Sequence, residues 1–191
     1  MFTPEQQRAL LELAREAVTA AVTQQAMRAL ADIDAAFQQP LGAFVTLHKH
    51  GELRGCIGYI EPIFPLHETI ARGGEAAALQ DPRFPVVTAA ELPHLEIEIS
   101  VLSPLAPIAP EEVVVGTHGL VVEKGGARGL LLPQVPVEWN WNREQFLAST
   151  CRKAGLPMDA WQKGAKLYGF TAEVFSETSI GELGGLGGLG E

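Results

Sequence analysis

Leu10, Leu13, Ala14, Ala17, Val18 and Ala21 recur every three or four residues, the spacing of one buried stripe on a helix. Thr3, Pro4 and Gln6 precede them as a capping box with proline at the first helical position, which predicts an amphipathic helix running to about residue 30. Strict alternation replaces that period at residues 95–102. Leu95, Ile97, Ile99 and Val101 fall on one face of a strand, and Glu96, Glu98 and Ser100 on the other.

Two further strands are expected at residues 43–49 and 52–60, joined by a turn at His50-Gly51. Residues 66–80 return to a helical pattern, ended by the DPRF stretch at 81–84. Gly73-Gly74 inside it cost roughly 2 kcal/mol of helix propensity, so the helix either bends there or is held by packing. Pro104, Pro107 and Pro110 predict a stiff, extended connection. Gly125-Gly126 between apolar runs predict a second hairpin. Asn142 and Gln145 open a helix that Gly155 closes, and residues 167–175 read as a last strand. Residues 1–177 are expected to form one domain of two associated lobes, and 178–191 a mobile Gly/Leu-rich tail. Gly185, Gly187 and Gly190 match a dinucleotide-binding spacing, but without the flanking strand and helix that motif needs. Hairpins and separate helices, not alternating βαβ units, indicate an α+β fold: mostly antiparallel sheet with flanking helices, in two lobes with a cleft.

The 191 residues are 47% hydrophobic and 19% charged, a globular composition. Fourteen Lys plus Arg against 23 Asp plus Glu give a net charge of −9, which repels phosphate backbones. Arg152-Lys153 is the only adjacent basic pair, and with two tyrosines in the chain there is little for nucleic acid to grip or stack upon. The polar, amphipathic start is unlike a signal peptide, and no stretch is long and apolar enough to span a bilayer. The two cysteines, Cys56 and Cys151, suggest no disulfide framework and belong to no CxxC pair. A cytoplasmic location is the simplest expectation. His48 and His50 are too isolated to define a metal site, and no cofactor is specified.

The chemistry concentrates at LRGCIG, residues 53–58. Regular alternation would put Arg54 and Cys56 on one face, and a guanidinium beside a thiol favours the thiolate. Gly55 and Gly58 would bare the backbone to an approaching ligand. The hairpin register decides the outcome. A two-residue turn sets Cys56 opposite Val45 in an apolar core. A three-residue turn sets it opposite Thr46, with Arg54 opposite His48, in a polar site. Free cysteines are among the most buried residues, so a core role stands beside the nucleophilic one. Cys151, three or four residues from Leu147 and Ala154, reads as helix packing.

LRGCIG, together with DPRFPVV, LEIEISVLSP, VGTHGL, GLLLPQV and FLASTCRKAGLP, resembles the AMMECR domain family, called AmmeMemoRadiSam system protein A in prokaryotes. The blocks keep the family's order over roughly residues 5–177. The resemblance implies a two-lobed α+β fold with the hexapeptide near a cleft, and occurrence beside a Memo-type protein and a radical-SAM protein. It supplies no reaction. It draws attention to Asp81 and Arg83, an anion grip or a turn stabiliser; to His118, a base or a strand cap; and to Gln134, a ligand-reading amide or a turn tie. The functional expectation is a cysteine-dependent enzyme for a small anionic or acyl-bearing substrate. Cys56, Arg54 and His118 would be catalytic, and Gly55, Gly58, Asp81, Arg83 and Gln134 would bind ligand. The alternative is a non-catalytic module binding a small ligand, a peptide, or the Memo-type or radical-SAM protein. RNA binding is a third reading that the charge disfavours.

Overall fold

Thr3 and Gln6 exchange hydrogen bonds of 3.1 and 3.2 Å, so the capping box opens helix α1, Pro4–Thr23, as its residues dictate. The helix stops short of residue 30. The Thr19 and Thr23 hydroxyls turn back onto carbonyls four residues earlier, Val22 and Thr23 are β-branched, and Gln24 takes a left-handed conformation (φ 56°). The computed structural model describes residues 1–27 and 34–184.

Strands β1, Ala43–Lys49, and β2, Glu52–Tyr59, form the expected hairpin, with His50 and Gly51 both at positive φ (54° and 81°). Helix α2, Leu66–Leu79, contains both interior glycines as buried residues. Packing holds them. A Cβ on Gly73 would lie 3.2 Å from Val45 Cγ2, and one on Gly74 would lie 3.3 Å from the Ala14 carbonyl. The glycines therefore let α2 approach both β1 and α1. Strand β3, Leu95–Leu102, buries Leu95, Ile97, Ile99 and Val101 as its alternation predicts.

The remaining elements are β4, Ala106–Pro107; β5, Gly119–Lys124; β6, Ala127–Leu131; α3, Gln134–Glu138; α4, Arg143–Lys153; β7, Lys166–Phe170; β8, Ala172–Ser176; and α5, Glu177–Gly184. Among the described residues the strands form two four-stranded sheets, ordered β2-β1-β3-β8 and β4-β7-β5-β6. The β1–β2, β1–β3, β4–β7, β5–β6 and β5–β7 pairings are antiparallel. The fold is thus α+β, with antiparallel sheet and flanking helices, as expected. It divides into two compact units, Met1–Leu102 with the chain from Glu173 onward, and Ser103–Ala172.

Two expectations are corrected. The single last strand is two strands in different sheets, broken at Thr171, whose N–H donates to the Ser103 hydroxyl and whose carbonyl accepts from the Ser103 N–H. The stretch after residue 177 also begins as structure. Ser176 and Ser179 exchange hydrogen bonds at the start of α5, and Ile180 is buried in the first unit's core. The glycine-spaced motif at 185–190 lies outside the described residues.

Candidate functional site around Cys56

The hairpin combines the two registers considered from sequence. Its turn has two residues, so Lys49 opposes Glu52 and His48 opposes Leu53; the pairing then slips by one, so that Leu47 opposes Gly55 and Thr46 opposes Cys56. Arg54 is the extra residue of a β-bulge. The bulge moves Cys56 off the apolar face and beside Thr46, whose hydroxyl donates to Sγ at 3.2 Å. Cys56 is half-buried.

The neighbouring glycines serve packing. A Cβ on Gly55 would stand 2.2 Å from the Ala77 carbonyl of α2, and one on Gly58 would stand 2.1 Å from the Ala43 carbonyl and 2.7 Å from the Phe44 ring. The space expected to admit a ligand is therefore filled from within the protein.

The Arg54 guanidinium is taken up by a carboxylate. Its Nε and Nη2 donate to the two Glu91 carboxylate oxygens at 3.0 and 3.2 Å, and Nη2 also donates to the Val86 carbonyl. Lys49 donates to the same carboxylate at 2.9 Å. Arg54, the Thr88 N–H and Lys49 together hold the Glu91 carboxyl well below the usual carboxylate range. Glu91 also completes the capping box of a short 3-10 turn with Thr88. That Thr-x-x-Glu spacing was the signal in the sequence that could have found it.

The DPRF loop supplies the closest contacts. Asp81 Oδ2 accepts the Cys56 N–H at 2.9 Å, and Arg83 Nη2 donates to the Cys56 carbonyl at 3.3 Å. Arg83 meanwhile grips Asp81 with Nε and Nη2 at 2.9 and 2.7 Å. Strand β2 is outermost in its sheet, so an ion pair satisfies the edge groups that another strand would otherwise bond. The Asp81 side chain is 2% exposed and that of Arg83 53%. Hydrogen bonds from Arg83, then from the Cys56 and Arg83 N–H groups, keep the Asp81 carboxyl well below its ordinary value against the opposing effect of burial. Arg83 thus uses two of its nitrogens on its own aspartate before any external anion.

His118 and Gln134 belong to the second unit. His118 Nδ1 accepts the Val114 N–H at 3.0 Å, closing the turn before β5. Gln134 is exposed at the first position of α3. Cys151 is fully buried, and burial pushes its thiol up. His50 occupies the hairpin turn, its ring 5.5 Å from that of His94. Among the described residues, no group of three or more His, Cys, Asp or Glu is placed to hold a metal, and no helix is long and apolar enough to cross a membrane.

The AMMECR1 family model matches residues 11–175. The chain belongs to the AMMECR1 family. A family relative from Thermococcus gammatolerans is 50% identical over 151 residues, covering 73% of this chain and 74% of its own. One from Methanothermobacter thermautotrophicus is 47% identical over 154 residues, covering 76% and 80%. The crystal structure of the uncharacterized protein PH0010 from Pyrococcus horikoshii is similar with a TM-score of 0.77 and 44% identity, covering 90% of this chain and 91% of that one.

Proposed function

We propose that this AMMECR1-family protein is a cysteine-dependent enzyme acting on a small anionic or acyl-bearing substrate, with Cys56 as nucleophile. The observation that carries this reading is the Thr46 hydroxyl donating to Sγ on a strand whose main chain is held by Asp81 and Arg83. A hydrogen bond donated to sulfur orients its lone pairs, and a fixed main chain keeps the attacking atom in place. In acyl transfer, the Cys56 sulfur would bond to the acyl carbon while the leaving group departs with its electron pair; water would then cleave the thioester. Arg83, half-exposed beside Cys56, would meet the substrate's negative group. Arg54 would act as a positioning residue, bracing the bulge through Glu91.

A second reading is favoured by a different observation. Arg54 and Arg83 are both engaged by carboxylates, which leaves less of either guanidinium for a substrate anion. In a binding module, Cys56 would simply be the small side chain that fits, and the partner a small ligand, a peptide, or a Memo-type or radical-SAM protein.

Iodoacetamide labelling of the native protein at neutral pH, compared with Cys56→Ser, tests both. Rapid, dose-dependent alkylation at Cys56 supports the enzyme. A thiol silent until denaturation removes it. Under the binding reading, Cys56→Ser keeps partner affinity measured with purified components.

A further inference from the structure

The chain is acidic, and its basic residues look dispersed along the sequence, yet the second unit gathers several at one place. Around the tip of the β5–β6 hairpin lies an open concavity of about 430 Å³, lined by Lys124, Arg128 and Lys166 with a single carboxylate, Glu123. The sheet register creates this grouping. Glu123 on the central strand β5 is flanked by Arg128 on β6 and by Lys166 on β7. Glu123 ion-pairs with Arg128 at 2.9 Å, so its one negative charge is already engaged. The Lys124 ammonium donates to the Lys163 carbonyl and also feels the Asp159 carboxylate, which lies outside the lining and is itself ion-paired with Lys163 at 2.6 Å. The lining therefore carries a net positive charge of two on a protein of net charge −9. Gly125, Gly126 and Gly164 keep the rim bare, with no atom within 4 Å of where a Cβ would stand.

We propose that this concavity binds a small phosphate-bearing molecule, with Lys124 and Lys166 as its principal charge partners. Two net positive charges suit a dianion, and lysine ammonium groups act as point charges toward phosphate. The volume falls within the about 300–1,000 Å³ of small-molecule sites, which leaves room for an organic portion beyond the phosphate. The proposal stands apart from the Cys56 reading: it uses neither the thiol nor any residue of the first unit.

The test is calorimetric titration of the full chain with pyrophosphate and, separately, acetate, for the unmodified protein and for Lys124→Gln, Lys166→Gln and Lys153→Gln. Lys153 is an exposed base in the last turn of α4 and serves as the control. Circular dichroism confirms that each variant is folded. The expected result is saturable one-to-one binding of pyrophosphate, weakened roughly tenfold by either pocket substitution and by less than about twofold by the control. Three results would overturn the proposal: no saturation up to about 10 mM, an equal loss in Lys153→Gln, or acetate binding as tightly as pyrophosphate.

Discussion

The Asp81 carboxylate accepts the Cys56 amide proton at 2.9 Å, although the two residues lie 25 positions apart. Through this bond the loop after α2 takes the place of a neighbouring strand along the edge of β2. Substituting Asp81 by Asn keeps one acceptor but removes the charge that Arg83 grips. We expect a loss of about 2 kcal/mol in urea unfolding, reduced from the full cost of breaking a buried pair because Arg83 remains half-hydrated. Asp81→Ala should lose more. Wild-type stability in both variants would show that the clamp contributes nothing.

Acid sensitivity follows from the same residue and from Glu91. Both carboxyls have folded-state values lowered below their unfolded ones. The unfolded chain therefore binds more protons in acid, and stability rises with pH in that range. The contribution is complete above the ordinary carboxylate range of about 4 and disappears as pH falls below it. Urea midpoints should thus be flat from neutrality to about pH 5 as far as these groups are concerned, then fall. A double variant, Asp81→Asn with Glu91→Gln, should be less stable at neutral pH and show a shallower acid slope. An unchanged slope counts against the assignment.

Thr46→Val tests the hydroxyl that faces the sulfur. The substitution keeps the shape and removes the donor. Alkylation of Cys56 should slow severalfold, while stability changes by less than about 1.5 kcal/mol. An unaltered alkylation rate would remove the observation on which the nucleophilic reading rests.

Glycine substitutions separate packing from turn geometry. Gly55→Ala drives a Cβ into the Ala77 carbonyl, which neither β2 nor α2 can vacate without shifting, so a loss above about 2 kcal/mol or failure to fold is expected. Gly125→Ala meets open space and is strained only by its positive φ, costing about 1 kcal/mol. Thermal melting of the two variants side by side gives the comparison. Equal melting temperatures would refute the packing role assigned to Gly55.

What the sequence determined by itself is local. The Thr3–Gln6 and Asn142–Gln145 capping boxes, the alternation of residues 95–102 and the His50-Gly51 and Gly125-Gly126 turns each involve neighbours a few positions apart, whose propensities point one way. The collected motifs were enough to mark the family. Only the tertiary structure decided the surroundings of Cys56. The bulge at Arg54 depends on how β2 meets both β1 and α2, and no short window contains those partners. Arg54 finds Glu91 across 37 residues and Cys56 finds Asp81 across 25. Thr171 divides an apparently continuous strand between two sheets. In each case the deciding energy comes from groups distant in sequence, where a one-residue slip exchanges the faces of a strand and so changes what the cysteine touches.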